Sequence, residues 1–268
     1  MGGDWIVVIP VKRLASAKTR LRGAVPGSPH AHLVLALVQD TVAAALACPG
    51  VADLLLVTNE PLVARVVEPL GARVVPDLPD AGLNPALAHG ARLAGDSPVA
   101  ALAGDLPALR PVELDAVLSA AGGQRGFVFD AAGTGTTLLA APSGAALDPR
   151  FGPGSAGRHA SSGAAALVGP WPSVRQDVDT AADLDSAAAL GLGTRTATLY
   201  RAGMQGTVAT FDAGERSGTV LLDDGTELTF PTSAFDASGL RLLRPGQRVR
   251  LERTDDRITA LALITMAL

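Results

Sequence analysis

The chain has 268 residues, a net charge of −4 and a single cysteine. That length holds one large domain or a medium and a small one. Lone Cys48 excludes an internal disulfide framework and fits a reducing compartment, and the acidic balance argues against nucleic acid as a bulk partner. Hydrophobic residues make up 48% of the chain and aromatics only 3%, so the core must be built mainly from Ala, Val and Leu. No apolar run reaches the ~18 residues of a membrane span, and the opening MGGDW lacks the basic-then-apolar pattern of a secretion signal. A cytoplasmic protein with no membrane partner is expected.

Strand and helix patterns alternate from the N-terminus to about Leu192. Ile6–Pro10 is aliphatic and β-branched, as suits a strand buried on both faces. His32–Ala47 reads as a helix with Leu33, Leu37, Val38 and Thr41 on one face. Strands follow at Leu54–Thr58, Ala72–Val75 and Val99–Ala103, with helices at Pro61–Leu70, Asn84–Leu93 and Pro111–Ala121 between and after them. Gly126–Phe129 and Thr136–Ala140 read as two more strands. Such alternation predicts an α/β fold, a mixed and mostly parallel sheet with helices on both faces. After Leu192 the pattern changes. Residues 193–205 read as a linker and 206–268 as a small all-β barrel, with strands in GTVATF, GTVLLDDGTELTF, RLL, QRVRLE and ITALALI. Asp224-Gly225 between alternating strands is a hairpin signal.

The first strand opens into a loop with four cations, Lys12, Arg13, Lys18 and Arg20. Open sheets bind ligands outside the carboxyl ends of their strands, so this loop reads as a clamp for a nucleotide triphosphate. Asp105 follows another buried strand in ALAGDLPAL. It reads either as a Mg²⁺ ligand beside phosphate oxygens or as a helix N-cap. Asp177 and Asp179 alternate in QDVDTAADL, so both carboxylates face one side and call for a cation between them. Asp177 is the stronger metal candidate, at a strand end, while Thr180 reads as an N-cap with Asp183 at its third position. The loops GTGT (Gly133–Thr136) and RFGPGSAGRH (Arg150–His159) offer backbone amides for an anion cradle. Thr136 and Ser155 add hydroxyl donors. Asn84 reads as a helix cap or a contact to a base. The four histidines, His159 among them, show no metal-ligand spacing and read as surface or loop residues. No nucleophile elbow or Cys/His dyad points to covalent catalysis.

Six segments in order, VKRLASAKTRL, LNPAL, GDLPAL, GTGT, RFGPGSAGRH and DVDTAADL, resemble the phosphoenolpyruvate guanylyltransferases and the related 2-phospho-L-lactate guanylyltransferases of coenzyme F-420 biosynthesis. The resemblance covers roughly Trp5 to Leu192. It implies a nucleotidyltransferase fold of the glycosyltransferase-A type and a Mg²⁺-dependent reaction between GTP and phosphoenolpyruvate. The following transferase of the pathway would receive the product. Matched onto this chain, the metal-binding aspartates fall on Asp105 and Asp177, and the phosphoenolpyruvate contacts on Thr136, Gly152 and Ser155. Lys18 and Arg20, with Asp105 and Asp177, are the catalytic candidates; Lys12, Lys18, Arg20 and Asn84 are the candidates for the nucleotide. Two positions depart from the family pattern: Gly154, where a polar residue is usual, and Ala181, where proline is usual. The tail resembles a cold-shock-type barrel but lacks the aromatic pairs on which such barrels stack bases. At least two of Phe211, Phe230 and Phe235 are expected in its core.

Two rival readings stand beside this one. The same chemistry could use 2-phospho-L-lactate or 3-phosphoglycerate as acceptor. A nucleotide-responsive RNA-binding protein acting through the barrel is the rival from another class. The acceptor, the choice of GTP and any homo-oligomer are left open by the residues.

Overall fold

The computed structural model describes residues 5–264 apart from 15, 16, 23, 26, 27, 79, 203, 204, 224, 255 and 256. By contacts the chain divides into two compact units, Met1–Arg20 with Val34–Thr196 and Leu21–Leu33 with Ala197–Leu268.

In chain order the first unit carries β1 (Trp5–Pro10), α1 (His30–Leu46), β2 (Val51–Val57), α2 (Pro61–Val67), β3 (Arg73–Val75), α3 (Leu83–Leu93) and β4 (Val99–Leu102). It continues with α4 (Pro111–Ala120), β5 (Gly126–Phe129), β6 (Thr136–Ala141), α5 (Ser155–Ser161), β7 (Ala165–Ala166), α6 (Pro172–Arg175) and α7 (Ala181–Leu190). The strands form one sheet in the order β3-β2-β1-β4-β6-β5-β7. β3, β2, β1 and β4 run parallel, β6 runs antiparallel to both β4 and β5, and β7 is parallel to β5. The sheet is mixed and mostly parallel, as alternation predicts.

Aliphatic composition explains the layering. Val7, Val8 and Ile9 of β1 are fully buried, and every residue of β4 and β6 is buried to nine-tenths or more, so these strands need side chains small enough to pack on both faces. The chain runs outward from β1 to β2 and β3, then returns to lay β4 on the other side of β1. The β1/β4 boundary is therefore a topological switch point, where a crevice opens at the strand ends.

Several expectations need correction. Residues 193–205, read as a linker, contain a helix, α8 (Thr194–Ala202). Its first turn is fastened by buried Asp40 of α1, which accepts the Arg195 amide at 3.2 Å and the Thr196 amide at 2.7 Å. TRTATLYRA has no apolar stripe, so no periodicity marks α8 in the sequence. α5, β7 and α6 are too short for a periodic signal.

The second unit holds β8 (Gln205–Asp212), β9 (Ser217–Leu222), β10 (Glu227–Phe230), α9 (Thr232–Ala237), β11 (Arg248–Thr254) and β12 (Arg257–Leu263). They form an antiparallel sheet in the order β10-β9-β8-β11-β12, curled so that β10 comes near β12. With a helix between the third and fourth strands, this is the partly open five-stranded barrel of the OB type. RLL (Arg241–Leu243), expected as a strand, is irregular; Leu243 plugs the core without joining the sheet. Phe230 and Phe235 are 1% exposed, and Phe211 packs against both. The two buried rings cannot stack on bases. Of the Asp224-Gly225 hairpin signal, Asp224 lies outside the described residues. No described helix is long and apolar enough to cross a membrane.

One packing contact fixes how α3 lies on the sheet. A Cβ at Gly90 would collide with Val8 and stand 3.1 Å from Val57. Gly90→Ala would gain about 1 kcal/mol of helix propensity. Overpacking at a closely fitted contact costs about 1–3 kcal/mol. The variant is expected to lose about 1 kcal/mol net, read as a lower urea midpoint with unchanged slope; a raised midpoint would contradict the close fit.

Candidate active site

A cavity of about 630 Å³ opens at the carboxyl ends of β1 and β4. Its wall includes Lys12, Lys18 and Arg20 after β1, Asp105 after β4, Asp130 and Thr134–Thr136 between β5 and β6, Gly152–Ser155, and Asp177 and Asp179. The chain thus brings together the sequence candidates except Asn84 and Arg13. A smaller cleft of about 170 Å³ includes the Pro10–Lys12 wall and Leu83, and extends to Asn59 and Asp77.

The floor is ionic. Lys18 Nζ ion-pairs with both Asp105 and Asp179. Burial opposes the Lys18 charge, but these carboxylates outweigh it and hold the ammonium above its ordinary value. Lys18 has φ of 50°, the left-handed region, where a side chain costs about 1–2 kcal/mol. Asp177 is pushed up to about 7, first by burial and then by the nearby Asp105 carboxylate. Two local bonds set this crowding. The Val178 amide donates to the Asp105 carbonyl at 3.1 Å, which lays Asp177 beside Asp105. The Leu106 amide donates to buried Thr41 Oγ1 at 2.9 Å, which pins the β4 exit to α1.

These bonds also decide between readings. Asp105 caps no helix, because α4 begins at Pro111 with Arg110 as its N-cap. Asp177 is not in a strand; the Val178 bond to the Asp105 carbonyl aligns it, with the Asp177 amide donating to the Arg175 carbonyl at 3.2 Å. Thr180 caps α7 in a reciprocal box with Asp183, which leaves Asp179 free for the pocket. Ala181 is the first helical residue, the position where the family's proline would fit without losing a bond.

The four cations of the first loop do not act together. Arg13 pairs with Asp80 at 3.2 Å, and Lys18 is engaged as above. Lys12 and Arg20 line the cavity, and neither has a carboxylate partner among the described residues.

On the opposite wall, the expected anion cradle in GTGT is already occupied. Asp130 accepts the Thr134 and Gly135 amides, each at 2.9 Å, so those amides are not free for a ligand. An Asp three residues before Gly-Thr-Gly, as in DAAGTG, is the local pattern that signals this cap. Gly152 and Gly154 have φ of 119° and 69°, which favours glycine at Gly154 over the family's polar residue. Asn84 is not a cap either, since Gly82 holds that place. Its amide accepts from the Phe151 N–H at 2.7 Å and donates to the Phe151 carbonyl at 3.1 Å. Asn84 therefore holds the Gly152–Ser155 loop from behind.

His159 is the largest departure. Expected at the surface, it is 0% exposed, between the rings of Phe127 and Phe151. Thr136 Oγ1 lies 2.9 Å from its Nδ1, and the Arg150 amide donates to its Nε2 at 2.9 Å. Its partners are distant in sequence, so spacing could not show them. Burial, then Arg125 and Arg158, hold His159 down at about 4; Asp148 opposes them and Arg150 adds to them.

A pH dependence follows. An unfolded histidine titrates near 6.5 and the folded one about 4, so the unfolded chain binds more protons between those values. The His159 contribution is present above pH 6.5 and fades as pH falls toward 4. At pH 5 it should lower stability by about 2 kcal/mol relative to pH 7. Urea unfolding at the two pH values, against His159→Gln to cancel titrations common to both proteins, checks this. Equal pH dependence in the two proteins would refute it.

Comparison with known proteins agrees with this geometry. Residues 33–216 match the MobA-like NTP transferase domain. The chain is 62% identical over 198 residues to phosphoenolpyruvate guanylyltransferase of Salinispora arenicola, covering 73% of this chain and 92% of that protein. The enzyme of that name from Geodermatophilus obscurus is 59% identical over 201 residues, covering 73% of this chain and 93% of its own. A solved structure from Desulfovibrio desulfuricans G20, described as a nucleotide-diphospho-sugar transferase, superposes with a TM-score of 0.56 at 18% identity, covering 74% of this chain and 94% of its own. That likeness speaks for the fold. Asp105, Asp177 and the small-residue loops line one pocket in a chain of this kind, and the chain belongs to the phosphoenolpyruvate guanylyltransferase family within the MobA-like NTP transferases.

Proposed function

We propose that this chain transfers GMP from GTP to phosphoenolpyruvate, giving enolpyruvoyl-diphospho-guanosine and pyrophosphate, in coenzyme F-420 biosynthesis. One observation carries the reading: a single cavity holds a carboxylate cluster on one wall and small-residue loops with Thr136 and Ser155 on the other. The names of the relatives support GTP and phosphoenolpyruvate as the pair. A phosphate oxygen of phosphoenolpyruvate attacks the α-phosphorus of GTP. The bond from that phosphorus to the β-phosphate oxygen breaks, and pyrophosphate leaves with the electron pair. The nucleophile is already an anion, so no strong general base is needed.

The obstacle is charge, and the residues divide the work. Lys12 and Arg20, without a carboxylate partner among the described residues, take up triphosphate charge. Thr136 and Ser155 receive the acceptor's phosphate or carboxylate oxygens. Asn84 acts from behind the acceptor loop. The donor set fits Mg²⁺. Asp105 and Asp177 are neighbouring carboxylates, and Asp177 is raised first by burial and then by Asp105. Among the described residues no three His, Cys, Asp or Glu side chains form a metal cluster. Mg²⁺ is commonly held by one or two carboxylates with substrate phosphates completing its shell, so two suffice. Bound there, the ion supplies charge neutralisation at the attacking and leaving oxygens. This reading assigns the chemistry to the first unit and a supporting role to the OB-type barrel. The activated product suits a following transferase.

Pyrophosphate release should require GTP and phosphoenolpyruvate together, and exceed release with ATP, CTP or UTP, or with 2-phospho-L-lactate or 3-phosphoglycerate as acceptor. Preference for another acceptor would replace phosphoenolpyruvate in the reading. Asp105→Asn or Asp177→Asn should cost at least ~100-fold in turnover, about 2.7 kcal/mol, with folding intact. A folded Asp177→Asn protein of near-full activity would remove the metal role. Thr136→Ala should raise KM for phosphoenolpyruvate more than for GTP; an equal rise would move that loop to the nucleotide.

A further inference from the structure

Thr136 does not sit alone on the acceptor wall. His159 lies one hydrogen bond behind it and the Arg150 amide one bond further, and this two-bond relay has one consistent arrangement of hydrogens. The Arg150 amide donates to His159 Nε2 at 2.9 Å, and a ring nitrogen that accepts carries no hydrogen. In a neutral imidazole the hydrogen is then on Nδ1. Nδ1 faces Thr136 Oγ1 at 2.9 Å, so the threonine oxygen is the acceptor of that bond. Its own single hydrogen is left over. Among the described residues Thr136 Oγ1 has no other hydrogen-bond partner, and the residue's remaining exposure, 9%, is on the cavity wall.

We propose that His159 is a positioning residue for the acceptor: as the Nδ1–H tautomer it donates to Thr136 Oγ1 and obliges the Thr136 hydroxyl to point its hydrogen into the cavity, matched to an ionised phosphate or carboxylate oxygen. The inference rests on the guanylyltransferase reading above and deepens it. The ring cannot turn to another arrangement without cost. Phe151 meets it edge-on at 5.0 Å and Phe127 lies 5.9 Å away; a flipped ring would turn a C–H toward the Arg150 N–H, and the other tautomer would meet that N–H with a protonated nitrogen, each leaving the amide without its acceptor. The low pKa of about 4 keeps the ring neutral at working pH, which the tautomer requires. Without the histidine, the threonine hydroxyl could turn its hydrogen elsewhere and offer a lone pair to an anion. With it, the wall presents a fixed donor beside Ser155 before any ligand arrives.

Nitrogen NMR of the histidine-labelled full chain at neutral pH tests the tautomer without a variant. Protonated Nδ1 and bare Nε2 are expected for His159; a protonated Nε2 would overturn the proposal even if every variant failed to fold. Kinetics test the role. His159→Gln can still accept the Arg150 amide but offers no donor at the Nδ1 position, whereas His159→Asn places an amide donor there. His159→Gln should raise KM for phosphoenolpyruvate roughly 10- to 100-fold, the range for a hydrogen bond to a charged group, with KM for GTP changed by less than about threefold. His159→Asn should recover most of that loss. In a Thr136→Val background His159→Gln should have no further effect on KM. A parallel rise in both KM values, an Asn variant no better than Gln, or additive effects with Thr136→Val would each overturn it. Wild-type protein with the expected tautomer but no pyrophosphate release would fault the assigned reaction, whereas a wrong tautomer in an active enzyme would fault the positioning role alone.

Discussion

Three carboxylates and one ammonium share the end of the sheet where β1 and β4 part. Asp105, Asp177 and Asp179 would repel one another in isolation, and Lys18 ties two of them together while burial raises the third. The rest of the first unit can be understood as the frame that makes this arrangement tolerable. β1, β4 and β6 are packed on both faces by Val, Leu, Ile, Ala and Thr side chains, so the strand ends cannot spread to relieve the repulsion. Thr41 and the Asp105–Val178 backbone bond add local fastening. A framework that holds like charges together is what the proposed Mg²⁺ site requires.

The parallel half of the fold was legible because its signals are local. Ile6–Pro10 could only be a buried strand, and the helices after β2 and β4 begin at Pro61 and Pro111, where proline favours a first turn. Asp105 stands out because it follows a strand, and Thr136 and Ser155 because they sit in small-residue loops with hydroxyls; Asp177 stands out by its alternation with Asp179, and Gly152 through the family resemblance alone. Relations between segments were not legible. Nothing in the spacing of Arg150, Thr136 and His159 reveals that they meet, and the Asn84 amide gives no sign in sequence of its partner 67 residues away. The GTGT reading went wrong in a related way. Glycines near hydroxyls suggest free amides, but a nearby aspartate had already claimed them.

The second unit shows the complementary limit. Alternation placed its strands at β8 to β10, where polar and apolar residues face opposite sides. α9 is only six residues long and holds its place through Ala234 and Phe235, two buried side chains that a strand pattern could equally have used. With Phe230 and Phe235 spent on the core, the barrel has lost the surface chemistry of its base-stacking counterparts while keeping their strand order.

The clasp between Asn84 and Phe151 couples parts that the sequence keeps far apart. Because one side-chain amide meets both polar groups of a single backbone unit, α3 and the segment running into Gly152 behave as one stiff plate. Leu83 at the edge of that plate lines both clefts, and Phe151 at its other edge braces the His159 ring. Any tilt of α3 would therefore be transmitted to the Gly152–Ser155 wall, and moving that wall alone would mean breaking both bonds of the clasp. This side of the pocket is built to keep its shape, like a gauge, before anything enters.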